Sequence, residues 1–315
     1  MSNKPLRIIF MGTPQFAVPS LQALLDHGEQ VVAVICQPDR PCGRGCKVTS
    51  PPVKDLALQA GLPVLQPHKV KSEEFLEELR AYAPDLIIVT AYGRILPGPV
   101  LNLPPLGTIN VHGSLLPNYR GSAPIQWAIL NGDKETGITI MQMDEGMDTG
   151  DMLLSGALPI SEEDTTVTLS EKMSMLGAEL LIKALEKLKK GQLPPHKQDE
   201  ALATASPPLC KHQSVIDWSK SAWEISCQIR GLEPWPLAST TYNQKWLRLF
   251  KPLVVKGIVT EPAGTLCNAD KNGILFATGK DYLLIREVQL EGAKRMGAAA
   301  FLCGRPLPCG IRLPT

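Results

Sequence analysis

The sequence predicts an α/β fold, a parallel sheet with helices on both faces, followed by a small β-barrel. Three observations carry this. Apolar strand-like runs alternate with helical patterns as far as residue 190, a polar proline-containing stretch interrupts them, and short strand-like runs fill the rest. A chain of 315 residues also exceeds one typical core, so two domains are expected.

The strand candidates are Leu6 to Met11, Val31 to Ile35, Leu62 to Leu65, Leu86 to Thr90, Thr108 to Val111 and Ile138 to Met143. The first ends at Gly12-Thr13-Pro14, and Phe16, Leu21, Leu24 and Leu25 then mark a helix. Ser72 is placed to cap a helix over Glu73 to Tyr82, with acids in the first turn where the helix dipole favours them. Leu169, Met173, Leu176, Leu180 and Ala184 keep steps of three or four, the inward stripe of a long helix over 165–190 that Gly191 ends. Residues 191–207 have turn composition and no apolar period, and read as a linker. Beyond it, Ser221 and Glu224 form a capping-box pattern for a short helix. Five strand-like runs follow, near 239–244, 245–255, 264–269, 273–278 and 282–290, with a hairpin signal at Asp270 to Gly273. A short helix with five strands fits a small barrel, a shape that often binds nucleic acids. The expected domains are therefore 1–190 and 208–315.

Composition narrows the class. With 44% hydrophobic and 20% charged residues the chain can fill such cores, and no uncharged apolar run reaches membrane-spanning length. The N-terminus leads directly into a strand rather than a signal peptide, so the expected address is the cytoplasm. Eight cysteines are scattered without metal-ligand spacing, so free thiols are expected and no metal. The net charge of +1 hides an asymmetry: 18 Lys+Arg against 23 Asp+Glu through residue 207, then 14 against 8. A net of +6 on the terminal part suggests a polyanionic partner, although a solubilised surface reads the same way.

The chemistry centres on Asn110 and His112. Positions two apart in a strand share a face, so this amide and imidazole can aim at one reacting atom while Val111 faces the other layer. Four acids follow in a glycine-bounded loop, Asp144, Glu145, Asp148 and Asp151. An amide donor, a titratable imidazole and a carboxylate are the groups that stabilise a tetrahedral oxyanion and move a proton. Asp148, between Gly146 and Gly150, is the chosen acid, although spacing does not exclude Asp144. The calcium-loop spacing is absent. The dinucleotide reading fails, because Gly12 to Ala17 lacks the second and third glycines and Val48 stands where Gly43 to Val48 would need the third. The other four histidines sit among polar or proline-containing neighbours. The Gln37 to Lys47 loop is basic and glycine-rich. It suits a phosphate backbone and equally an exposed loop with incidental charge.

Asn110-Val-His112-Gly-Ser-Leu-Leu-Pro117, Tyr119-Arg-Gly121, Ala123 to Gln126 and Met141 to Met152 together resemble the 10-formyltetrahydrofolate-dependent formyltransferases. The resemblance extends over nearly the whole chain, to Gly12-Thr-Pro14, Gln37 to Pro41, Ile216-Asp-Trp218 and Pro234-Trp-Pro236. It implies a Rossmann-like catalytic domain followed by an OB-like barrel that helps bind tRNA, with Asn110, His112 and Asp148 as the catalytic set. It further implies that 10-formyltetrahydrofolate is contacted by the turn Ser114, Leu115, Leu116 and Pro117 and by Ile95 and Leu96 of the 92–97 loop. Initiator methionyl-tRNA is the implied partner, with Arg40, Arg44 and Lys47 on the acceptor-binding loop, in a monomer without metal. The family commonly has lysine where Cys46 stands and often arginine where Asn118 stands. A competing acceptor within the same chemistry is a small amine, glycinamide ribonucleotide or an amino sugar nucleotide.

Overall fold

In the computed structural model, residues 5–42, 47–305 and 307–314 are described. The chain runs through β1 (Arg7–Gly12), α1 (Val18–Asp26), β2 (Gln30–Ile35), β3 (Arg40–Cys42), β4 (Lys47–Thr49), α2 (Pro52–Gln59), β5 (Val64–Leu65), α3 (Glu73–Ala81), β6 (Leu86–Thr90) and α4 (Gly98–Leu101). It continues through β7 (Thr108–His112), β8 (Arg120–Gly121), α5 (Pro124–Leu130), β9 (Glu135–Gln142), β10 (Met152–Pro159), α6 (Thr166–Lys189) and β11 (Ala205–Ser206). Last come α7 (Ala222–Gly231), β12 (Ser239–Tyr242), β13 (Lys245–Val255), β14 (Leu266–Asp270), β15 (Gly273–Ala277), β16 (Tyr282–Leu290), β17 (Met296–Gly297) and α8 (Ala298–Gly304).

Two compact units result. One consists of the chain up to Pro124, Thr136–Leu158 and Ser170–Ser206, the other of Ile125–Glu135, Pro159–Leu169 and the chain from Pro207 onward.

In the first unit, a seven-stranded sheet has the order β10-β9-β7-β6-β1-β2-β5. Strands β1 and β6 lie at its centre, and the continuous apolar runs Ile8 to Met11 and Leu86 to Val89 are buried on both faces, as central parallel strands require. Helix α3 starts at the Ser72 cap, whose hydroxyl accepts from the Phe75 amide at 3.3 Å, a contact typically worth about 1 kcal/mol. Its Phe75, Leu76 and Leu79 pack with Ile9, Ile35 and Ile87 on one sheet face. On the other face, the bare Cα of Gly177 in α6 lies so close to Val111 that a Cβ would sit 3.0 Å from its Cγ1.

The sheet differs from the all-parallel expectation at one edge, where β9 pairs antiparallel to β7. A strand buried on both faces has the same apolar run in either direction, so its sense cannot be read from composition. The β10 strand also escaped prediction because it is half exposed and its apolar signal is weak.

In the second unit the order is β12-β13-β16-β15-β14, with antiparallel neighbours and β17 added to β16. The five expected runs are β12 to β16. Asn243 and Gln244 have φ of +48° and +61°, the left-handed pair that joins β12 and β13 tightly. The sheet wraps α7, whose Ser221 and Glu224 exchange capping hydrogen bonds at 3.2 and 3.0 Å. The core between them holds Ile225, Leu249, Phe276 and Ile285, with Trp218 and Phe276 rings 4.7 Å apart.

Candidate active site

Strand β7 ends the apolar layer and delivers Asn110 and His112 to one face of the sheet. Val89 and Met141 flank Asn110 on the neighbouring strands, and Thr139 lies opposite His112. Val111 points the other way, towards Gly177. The His112 side chain is only 5% exposed, so its ring is held rather than solvated.

The turn after β7 is sewn to β9. Thr139, fully buried, donates to the Ser114 carbonyl at 2.8 Å and accepts from the Leu116 amide at 3.1 Å. The Ser114 hydroxyl donates to the Asn118 carbonyl at 2.5 Å, so it is committed to closing the turn. Leu116 is buried, while Leu115 and Pro117 are half-buried. Tyr119 then adopts φ +61°, which turns its carbonyl towards the imidazole: His112 Nε2 lies 3.0 Å from that oxygen.

The acidic loop enters from the other side. Asp148 has φ +54°, and its Oδ2 lies 3.6 Å from His112 Nδ1, beyond hydrogen-bond length but within ion-pair range. The same oxygen accepts from the Gly121 amide at 2.8 Å. Asp144 behaves differently. Its Oδ1 accepts from the Gly146 amide and the Thr149 hydroxyl, bracing its own loop. With a carbonyl at one ring nitrogen and a carboxylate near the other, the imidazole can donate in both directions only as the cation.

Residues 191–207, expected as a linker, also brace this loop. Gln198, 9% exposed, donates to the carbonyls of Asp148 at 2.8 Å and Gly150 at 2.7 Å, and accepts from Arg120 Nε at 3.0 Å. Arg120 forms a fork with both Glu200 oxygens at 2.8 Å, and this partner holds the Glu200 carboxyl below its usual range. Strand β11 pairs with β8, and the Ser206 hydroxyl donates to the Tyr119 carbonyl at 3.0 Å. None of these supports has a sequence signal near Asn110 or Asp148; they are brought in by chain return.

A cleft of about 140 Å³ opens beside Asp148, walled by Arg94, Ile95, Leu96, Met141 and Met143. Leu96 is buried and Ile95 exposed, so of the two expected contacts one lines the floor and the other the rim. The 92–97 loop is fixed by Gln37, whose Nε2 donates to the Tyr92 carbonyl at 3.1 Å while its Oε1 accepts from Arg94 Nε at 3.0 Å. Burial pushes the Tyr92 phenol up to about 12. The three methionine sulfurs, of Met141, Met143 and Met147, with the aliphatic walls and the adjacent carboxylates, suit a flat, partly apolar ring system with donors on its edge.

Of the basic-loop residues, Arg40 lies in the β3–β4 hairpin and its Nη2 donates to Gln37 Oε1 at 3.3 Å. The backbone of Lys47 pairs with Cys42, whereas Arg44 and Cys46 lie outside the described residues. Among the described residues no cluster of three or more His, Cys, Asp or Glu could hold a metal ion.

Residues 6–185 match the family model described as formyl transferase, and 208–306 match the formyl transferase C-terminal domain. A methionyl-tRNA formyltransferase of Desulfotalea psychrophila is 58% identical over 313 residues, covering 99% of this chain and 97% of the relative. One from Caldanaerobacter subterraneus subsp. tengcongensis is 50% identical, over 98% of this chain and 100% of its own length. Among solved structures, methionyl-tRNA formyltransferase from Clostridium thermocellum shares the fold with a TM-score of 0.58 and 16% identity, over 90% of this chain and 98% of that one. HypX from Aquifex aeolicus in complex with tetrahydrofolic acid gives a TM-score of 0.66 at 18% identity, over 99% of this chain and 51% of that one.

Proposed function

The chain belongs to the formyl transferase family, and from that premise we propose that Asn110, His112 and Asp148 carry its transfer reaction. The reaction is one-carbon transfer: a formyl group passes to the α-amine of methionine on initiator tRNA, giving N-formylmethionyl-tRNA for translation initiation. The donor is 10-formyltetrahydrofolate, released as tetrahydrofolate. The observation that carries the site assignment is the convergence of the Asp148 carboxylate on His112, 3.6 Å apart, on the sheet face that Asn110 shares.

When bound, the donor supplies a carbonyl carbon open to attack by the neutral amine. Asn110 donates a hydrogen bond to the oxygen that gains negative charge as the amine adds, and His112, whose Nε2 faces the Tyr119 carbonyl, contributes from its Nδ1 side, where Asp148 lies beyond hydrogen-bond length. One such donor typically contributes about 2.7–4 kcal/mol, roughly 10² to 10³ in rate. Asp148, directly or through water, takes the proton the amine must lose and passes it towards the departing N10 nitrogen. The cleft holds the ring system through Ile95 and Leu96; the Ser114 to Pro117 turn does not wall it, and its proposed contact with the donor is made outside the cleft, through its backbone and the half-buried Leu115 and Pro117.

The proposed division of labour is catalysis in 1–190, a linker over 191–207, and tRNA binding in 208–315 together with Arg40, Arg44 and Lys47. The +6 net charge beyond residue 207 supports it. A monomer in the cytoplasm is the accompanying proposal, and no described helix is long and apolar enough to cross a membrane.

The deciding experiment is a transfer assay from 10-formyltetrahydrofolate to charged initiator tRNA, charged elongator tRNA and glycinamide ribonucleotide. Preference for the first is expected; preference for the ribonucleotide would overturn the acceptor assignment.

A further inference from the structure

Two loops given to different substrates meet on one buried amide. Gln37, only 9% exposed, follows the carboxyl end of β2, the end at which open parallel sheets bind ligands. Its side-chain oxygen accepts from Arg94 Nε of the 92–97 loop at 3.0 Å and from Arg40 Nη2 of the β3–β4 hairpin at 3.3 Å. Its Nε2 donates to the Tyr92 carbonyl at 3.1 Å, to which the Thr13 hydroxyl also donates at 3.1 Å. The main chain of Gln37 is pinned as well, its amide donating to Thr13 Oγ1 at 3.3 Å and its carbonyl accepting from Gln66 Nε2 at 2.8 Å. Both lone pairs of the side-chain oxygen are therefore taken, and two guanidinium cations converge on one fixed atom. Asp39, the carboxylate next to Arg40, is occupied by Lys54 at 2.7 Å, and neither arginine forms an ion pair among the described residues. Arg94 is held a second time, its Nη1 donating to the His68 carbonyl at 2.7 Å, whereas Arg40 is exposed and has the longer contact. Arg40 is the partner that can leave.

We infer that Gln37 couples the two substrate sites: when Arg40 leaves it for a tRNA phosphate, the 92–97 loop tightens and the folate is held more strongly, given the proposed assignment of Arg40 to tRNA and of that loop to the donor. The exchange is favourable because Arg40 trades a shared, neutral amide oxygen for a fully charged acceptor. Its departure removes a like charge from beside Arg94 and leaves the Gln37 oxygen to Arg94 alone. That contact and the Tyr92 carbonyl contact fix the loop from which Ile95 and Leu96 reach the cleft. Coupling between binding sites is reciprocal, so the folate strengthens tRNA binding by the same factor. Gln37 acts through the two arginines, as a positioning residue.

The test is calorimetric titration of tetrahydrofolate, which carries no formyl group to transfer, with and without saturating methionyl initiator tRNA. In the wild type the tRNA is expected to lower the tetrahydrofolate Kd roughly five- to tenfold, the low end of such couplings. Arg40→Ala should bind tetrahydrofolate without tRNA as tightly as the wild type does with it, and tRNA should then change nothing further; a merely structural role for Arg40 predicts weaker binding instead. Gln37→Leu, which removes the shared oxygen, should bind tetrahydrofolate more weakly in both states and show no coupling. Equal wild-type Kd values with and without tRNA would overturn the inference. So would a coupling that survives Arg40→Ala, or weakened folate binding in that variant, and this exposed position decides the matter even if Gln37→Leu fails to fold. A tRNA Kd unchanged by Arg40→Ala would overturn it too, by removing the trigger. Absence of tetrahydrofolate binding to every form of the protein is the distinct result that would remove the donor reading itself.

Discussion

Gly121 holds φ +123°, and a Cβ there would lie 2.8 Å from the Ser206 carbonyl oxygen, while its amide anchors Asp148. Gly121→Ala is expected to cost about 1–3 kcal/mol through backbone strain and to lower kcat by loosening the acid. Thermal unfolding and turnover measured together check this, and a variant unchanged in both would refute the anchoring role. Asp148→Asn keeps the volume and the acceptor for Gly121 but loses the negative charge beside His112; kcat should fall by roughly 10² to 10⁴ with the fold intact by circular dichroism. Asn110→Ala should cost about 10² to 10³ in kcat. The shared face of Asn110 and His112 was legible in the sequence, since strand period fixes it locally. Asp148 was favoured by its bracketing glycines, but spacing did not exclude Asp144, because the two acids differ in the turns their loop takes.

Among the elements, the return of residues 196–206 to the acidic loop has the largest consequence for the site. Gln198→Ala leaves the Asp148 and Gly150 carbonyls without that donor, a loss of about 1–3 kcal/mol that should appear as a lower Tm and a lower kcat. Helix α6 is pinned at its far end, where Lys189 reaches the buried Glu29, which also accepts from the Leu6 amide at 2.9 Å and faces His27. Burial pushes the Glu29 carboxyl up, but Lys189, the Leu6 amide and His27 together outweigh it and hold it below its usual range. A depressed carboxyl stabilises the fold above its unfolded value, about 4.3, and that contribution is lost as pH falls through the lower folded value. Tm should therefore drop on acidification below about pH 4.5, and the drop should be shallower in Glu29→Gln; parallel Tm profiles would count against it. The long α6 was visible in its apolar steps and the Gly191 stop. The β9 direction was hidden because a buried strand carries no directional mark.

For the whole molecule, the charge split between the first 207 residues and the rest sets the expected salt response. KM for tRNA should rise with ionic strength, and Arg44→Ala should raise it at low salt and flatten the slope by about one counterion; an unchanged slope would remove Arg44 from the phosphate contacts. The sequence by itself determined the alternation that builds a helix-covered sheet, the five strand-like runs after residue 207, the Asn110/His112 face and the charge asymmetry. The first three are periodicities that a short window contains, and the charge asymmetry is a composition summed along the chain. Only the tertiary structure decided that Asp148 rather than Asp144 lies beside His112, that Ser114 closes its own turn, and that Gln198 and Ser206 support the site. It also decided that Arg94 and Arg40 share the Gln37 side-chain oxygen. The reason is physical: these contacts join residues far apart in the chain, and their distances depend on strand order, left-handed turns and chain return, which no local pattern records.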